Sequence, residues 1–235
     1  MKLIIFDMDQ TLVDFISVHD DATRELFKKF FHVDARLTEI DFAGRSLAEN
    51  FLELARLKGI PEAEVGKNSQ TLVENYERIF GEKLAQEAPD HVLPGVRKLL
   101  EELAKTDNFV VLYTGDSAGI VDRVLKATGL GKYFRFAVYG TDAPTRVGMV
   151  RLAVGRAESI AGKKFSDKDV VIIGDSLRDV NSGKQLGAMT IAVATGFHSE
   201  AALRASEPDY FFKDLKNYRK VLRAITESGK DSSKG

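Results

Sequence analysis

The run Leu3-Ile4-Ile5-Phe6 gives way at once to Asp7-Met8-Asp9-Gln10-Thr11-Leu12. This abrupt change constrains the fold more than any other feature of the chain. Four consecutive apolar residues without polar alternation read as a strand buried on both faces, the kind found in parallel sheets covered by helices. Ligands in open α/β sheets lie just beyond the carboxyl ends of such strands. Two carboxylates placed there repel each other and resist desolvation unless a positive charge sits between them. A hard divalent cation meets that need, and Mg²⁺ prefers one or two carboxylates together with phosphate oxygens. A single Asp after a strand would more readily start a turn or cap a helix. The paired acids, with a second acidic site further along, favour the cation.

The remaining chain repeats the theme. Phe109 to Tyr113, Phe134 to Tyr139, Val170 to Ile173 and Thr190 to Ala194 read as further strands. Helices are expected from Val96 to Lys105, Ser117 to Thr128, Arg146 to Ala161, Leu177 to Leu186 and Asp214 to Thr226. Strands alternating with helices imply a parallel sheet covered on both faces. Residues 15–87 differ, because no convincing strand occurs there. Leu26, Phe27, Phe30 and Phe31 form one helical stripe, and Leu47, Phe51, Leu54 and Ala55 another. Glu62 to Gln86 reads as two helices broken near Gly66 or Gly81. The expected fold class is therefore α/β: a Rossmann-like parallel-sheet core over 1–14 and 88–235, with an inserted all-helical domain over 15–87. The polar tail from Ser228 is expected to fray.

Composition excludes some function classes. The 235 residues contain no cysteine, which removes disulfides, thiolate metal sites and cysteine nucleophiles. A formal net charge of −1 gives no reason to expect nucleic acid or a membrane surface as partner. There is no apolar run long enough for a transmembrane helix and no signal-peptide pattern before the first strand, so a cytoplasmic protein is expected.

Three further strand ends carry polar groups. Thr114-Gly115-Asp116-Ser117 places a hydroxyl and backbone N–H groups where a helix opens, a natural phosphate corner. Gly174-Asp175-Ser176-Leu177-Arg178-Asp179 sets two acids four apart, one above the other if the helix begins at once. Arg146, between Thr145 and a helix, is the candidate cation. Arg45 and Ser46, ahead of the helix at Leu47, are placed to reach an anionic or hydroxylated substrate. His19 and Asp14 fall near the junction with the helical insertion.

These residues resemble the haloacid dehalogenase-like hydrolase superfamily, and within it the phosphoglycolate phosphatase-like branch with a helical cap. Asp7-Met8-Asp9-Gln10-Thr11-Leu12 is similar to its first motif, Asp-x-Asp-x-Thr-Leu. Thr114 after an apolar run is similar to the second, and Gly174-Asp175-x-x-x-Asp179 to the fourth. The resemblance implies a Mg²⁺-dependent phosphatase acting on a small phosphate ester, as monomer or homodimer. It makes Asp7 the nucleophile and Asp9 the acid and base. It places the metal on Asp7, the Asp9 carbonyl and Asp175, with Asp179 assisting directly or through water. Thr114 and nearby N–H groups would hold phosphate, and Thr11, Gly115, Arg45 and Gln10 would meet the substrate. The usual lysine of the third motif is replaced by Arg146, with Lys132 a less favoured substitute. Arginine keeps the charge with a different reach and geometry. Gln10 stands where glycine is common. A haloacid dehalogenase, a sugar-phosphate mutase and a non-catalytic phosphate sensor are the alternatives.

Overall fold

The computed structural model describes residues 1–85 and 91–227. The expected boundary at 87/88, the helix end at Gln86 and the tail from Ser228 lie outside these residues. Among the described residues, six strands form one parallel sheet: β1 (Leu3–Phe6), β2 (Phe109–Tyr113), β3 (Ala137–Val138), β4 (Val170–Gly174), β5 (Met189–Val193) and β6 (Tyr210–Phe212). Their spatial order is β3-β2-β1-β4-β5-β6. The chain thus builds outward from β1 to one side, then returns to build the other side. The reversal lies beside β1, where open α/β sheets leave a crevice at the strands' carboxyl ends.

The apolar runs form strands because every residue of β1, β2, β4 and β5 is buried. Alternate side chains go to opposite faces. Ile4, Phe6, Val110, Leu112, Val171 and Ile173 share one apolar cluster with α5 (Val96–Leu103), α6 (Ala118–Thr128) and α10 (Tyr218–Glu227). Leu3, Ile5, Val111 and Ile172 join the cluster of Met149, Val150, Ala153 and Ala157 on α7 (Arg146–Ala161). Each such fully buried aliphatic side chain contributes about 1.5–3 kcal/mol. Register is shared across the centre, with Phe6 beside Leu112 on one side and Ile173 on the other. The three strand ends therefore finish level, and the residues that follow them meet.

Between β1 and β2 lie α1 (Ile16–Phe31), α2 (Leu47–Leu57), α3 (Glu62–Lys67) and α4 (Ser69–Leu84). They pack on one another through Leu26, Phe27, Phe51, Leu54, Leu72, Tyr76 and Phe80, all buried. α1 starts six residues ahead of the expected stripe at Ala22, because buried His19 and Asp20 are polar and hide its first turns. The break in the third segment falls at Asn68, between α3 and α4. Gly81 lies inside α4, where a Cβ would press on the Arg123 side chain.

The sheet's far edges depart from expectation. β3 covers two residues instead of Phe134 to Tyr139. β6 and the six-residue α9 (Glu200–Ala205) were not anticipated. Both are too short to show a period, and β6 is only half-buried. Among the described residues no helix is long and apolar enough to cross a membrane.

Candidate active site

Asp7 follows β1, Thr114 follows β2 and Asp175 follows β4, so three adjacent strands deliver them to one place. The Asp7 N–H still donates to Ile173 O at 2.9 Å, which carries the ladder one residue past the strand. Asp7, Asp175 and Asp179 each bring a carboxylate oxygen within 4.8 Å of the other two. All three are buried. Thr11 bridges two of them, donating to Asp175 Oδ1 at 3.1 Å with Asp7 Oδ2 at 3.4 Å.

Arg146, the first residue of α7, inserts its guanidinium between acids. It pairs with Asp7 Oδ1 and donates to Asp179 Oδ1 from Nε at 2.9 Å and from a terminal nitrogen at 2.6 Å. Its Cζ lies 3.8 Å from the Tyr113 ring centroid, and the Tyr113 hydroxyl donates to Asp179 Oδ1 at 2.6 Å. The stacked ring fixes the plane of the guanidinium. A slender lysine would have no such seat.

Asp179 is not free to act elsewhere. α8 (Leu177–Gln185) opens with a capping box, in which Ser176 N and Oγ donate to Asp179 Oδ2 at 2.9 and 2.6 Å. Both its oxygens are thus committed to protein donors, and Arg146 holds it below the usual carboxylate range despite its burial. Asp175 precedes the helix, so the two acids do not stack one above the other on it as the spacing suggested.

Asp7 and Asp175 are different. Burial raises Asp7 to about 7, with Arg146 pulling the other way and the neighbouring acids adding to the rise. Burial, then the charges of Asp7 and Asp179, push Asp175 well above the ordinary range. Two carboxylates whose mutual repulsion Arg146 only partly offsets are the donor set a hard divalent cation takes. The residues present fit such an ion between Asp7 and Asp175.

A second cluster lies alongside. His19 Nε2 of α1 is 3.4 Å from Asp9 Oδ1 and 3.8 Å from Asp116 Oδ2, while its Nδ1 is 2.9 Å from the Tyr76 hydroxyl. Burial would lower His19, but the charges of Asp116 and Asp9 win and raise it to about 9. Burial likewise works against the Asp9 charge, yet His19 overcomes it and holds Asp9 below its ordinary value. Asp116 is pushed well up by burial and by Asp9.

Both clusters open onto one cavity of about 60 Å³ lined by Asp7, Asp9, His19, Thr114, Asp116, Arg146 and Asp175. Its roof comes from the loop before α2. Arg178 donates to Ala43 O and Asp41 Oδ2 at 2.6 and 2.9 Å, and Phe42 meets Phe197 edge to face. Leu47 N–H donates to Gly115 O at 3.1 Å. Gly115 is required there, because a Cβ would collide with Arg45 O.

The structure brings Asp7, Asp9, Gln10, Arg45, Thr114, Gly115, Arg146 and Asp175 to this cavity. Thr11 was expected to meet substrate. Instead it is fully buried beneath the cavity, with its hydroxyl on the two carboxylates. Gln10 takes a left-handed backbone, φ 59°, and its amide donates to Asp14. Arg45 pairs with Glu53 at 3.1 Å, and Ser46 is used up in capping α2 with Glu49. Lys132 lies over Tyr133 and is not among the cavity residues. Sequence reasoning missed Asn50, Tyr113 and Gly196, and gave Asp116 no role. Only Asp116, two residues past a strand-end hydroxyl, carried a local signal.

Comparison with known proteins agrees with this architecture. The sequence model described as "Haloacid dehalogenase-like hydrolase" matches residues 4–193. A phosphoglycolate phosphatase of Pseudomonas syringae pv. syringae is 30% identical, over 92% of this chain and 77% of its own length. A probable phosphatase, IndB, of Dickeya dadantii is 29% identical, over 88% of this chain and 86% of its own. The solved structure of a hydrolase from Pseudomonas syringae, 20% identical, superposes with a TM-score of 0.76 over 96% of this chain and 99% of that one.

Proposed function

This chain belongs to the haloacid dehalogenase-like hydrolases, and on that premise we propose that it hydrolyses small phosphomonoesters with a divalent cation held between Asp7 and Asp175. The observation that carries the reading is the pair of carboxylates bridged by Thr11, one strand away from Thr114 and beside Asp9. The phosphatase names of the two relatives support the same chemistry.

An Asp7 carboxylate oxygen attacks phosphorus, and the bond from phosphorus to the ester oxygen breaks. The departing oxygen takes a proton that passes from His19 through Asp9. His19 keeps Asp9 ionised at rest while holding a proton itself, so the pair enters the reaction with the one proton the leaving group needs. Water then attacks phosphorus and gives a proton back through Asp9 to His19. The Asp7–phosphorus bond breaks, releasing inorganic phosphate and restoring the carboxylate. Thr114 and the N–H groups after β2 orient the phosphate oxygens, and Arg146 balances the charge on Asp7. Mg²⁺ suits the donors Asp7, Asp175 and the Asp9 carbonyl, and when bound it neutralises charge on the phosphate. Asp179 anchors Arg146 instead of serving the ion directly. Residues 15–87 act as a cap, with the loop from Asp41 to Leu47 as the roof.

The direct test is hydrolysis of p-nitrophenyl phosphate. Turnover is expected with Mg²⁺ and should fall by at least about 10²-fold in EDTA, returning when the ion is restored. Undiminished turnover in EDTA would sink the metal assignment.

Gly196 offers a finer check, because a Cβ there would collide with Asp175 Oδ2. Gly196→Ala is expected to raise the Mg²⁺ concentration for half-maximal turnover by about tenfold or more, as ligand-positioning residues do. An unchanged Mg²⁺ titration would mean that Asp175 does not hold the ion.

A further inference from the structure

The two nitrogens of His19 meet different company. Nε2 faces Asp9 Oδ1 at 3.4 Å and Asp116 Oδ2 at 3.8 Å, whereas Nδ1 lies 2.9 Å from the Tyr76 hydroxyl. Tyr76 and Phe80 stand one turn apart on α4, both fully buried. The Phe80 ring centroid is 4.6 Å from that of His19, and the Tyr76 ring lies within 25° of the imidazole plane. The imidazole of α1 is therefore held in place by α4.

The hydroxyl of Tyr76 has a single hydrogen, which it donates to His19 O at 3.3 Å. Its oxygen is left to accept, so Nδ1 carries a hydrogen and donates it. An imidazole that surrenders a proton from Nε2 must keep one on Nδ1. If Tyr76 donated to Nδ1 instead, the ring would be neutral with its hydrogen on Nε2, and losing that hydrogen would leave an anion. The Tyr76 contact thus selects the arrangement in which Nε2 can pass a proton to Asp9 and take it back. Thr23 Oγ donates to the same His19 carbonyl at 2.8 Å, so that carbonyl keeps a partner when the Tyr76 hydroxyl is removed.

We propose that Tyr76 is a positioning residue for proton delivery to the leaving group, acting through His19. This rests on the phosphatase reading above. It gives the helical insertion a part in the chemistry, because the relay is assembled where α4 packs on α1.

The test compares kcat/KM of the Mg²⁺-loaded enzyme for phenyl phosphate and p-nitrophenyl phosphate. The two esters share a skeleton, but phenoxide is the stronger base and needs a proton more as it departs. Because kcat/KM covers only the steps up to ester cleavage, hydrolysis of the phosphorylated Asp7 does not enter. In Tyr76→Phe the ratio of phenyl to p-nitrophenyl phosphate is expected to fall by about tenfold. Damage to packing alone would lower both values together, and an unchanged ratio would overturn the inference. His19→Asn should lower the ratio at least as far, and adding Tyr76→Phe to it should lower it no further. An unchanged ratio in His19→Asn, or a further fall in the double variant, would also overturn the inference. Failure of the wild type with both esters would overturn the phosphatase reading itself.

Discussion

Asp7→Asn is expected to lose turnover of p-nitrophenyl phosphate by on the order of 10⁴-fold or more, while the protein remains folded. Removing a covalent nucleophile leaves only binding and charge stabilisation by its neighbours, which is why such losses are large. The amide is nearly isosteric, and its oxygen can still accept from Arg146. It also removes a burden. A carboxyl raised to about 7 in the fold binds its proton more tightly there than in the unfolded chain. Its contribution to stability is therefore favourable below its unfolded value and is lost as pH rises toward 7. At pH 8 without metal, Asp7→Asn is expected to melt no lower than the wild type, and its advantage should narrow on going toward pH 5. Kinetics and thermal melts on one preparation separate the two effects. Wild-type turnover in the variant would exclude Asp7 as nucleophile, whereas low turnover with a collapsed melt would point to misfolding.

The second large effect belongs to Arg146. Arg146→Ala would leave Asp7, Asp175 and Asp179 buried together with no cation among them, and Tyr113 without its stacked partner. Breaking a buried pair by removing one member costs about 3–5 kcal/mol, since the remaining charge stays desolvated. Urea denaturation should show that loss. Turnover should fall by about 10²-fold or more, because a charge-balancing group at phosphate is removed. Arg146→Lys keeps the charge but cannot reach Asp7 and Asp179 at once or stack on Tyr113, so it should recover part of both losses. Arg45→Ala, at the half-exposed rim with a surface partner, should cost turnover far less. A fully stable Arg146→Ala, or the reverse ranking against Arg45, would mean that the third motif has been placed on the wrong residue.

What a sequence discloses depends on how locally its physics acts. The buried runs of β1, β2, β4 and β5 were legible because a strand covered on both faces must be apolar throughout. Asp7, Asp9, Thr114 and Asp175 were legible for a related reason: polar groups at the ends of such runs are out of character unless used. Arg146 was found as the cation beside a helix start, but not its seat, which needs Tyr113 thirty-three residues earlier and Asp179 thirty-three later. The partners of Asp179 were likewise not legible. Its side chain is drawn into the capping box by Ser176, so hydrogen bonding at the helix start decides its orientation.

The sequence by itself determined a parallel α/β sheet, an all-helical insertion after the first strand, and an oxygen-rich site at the strand ends. Periodicity and charge density are properties of neighbours along the chain, so these survive without coordinates. Only the tertiary structure decided which acids keep free lone pairs, and that His19 joins Asp9 and Asp116. It alone brought Asn50 to the same cavity and turned Thr11 away from it. The places of His19 and Asn50 depend on α1 and α2 folding back over the strand ends. The pairing of side chains so far apart in sequence is set by packing and desolvation, which no local pattern records.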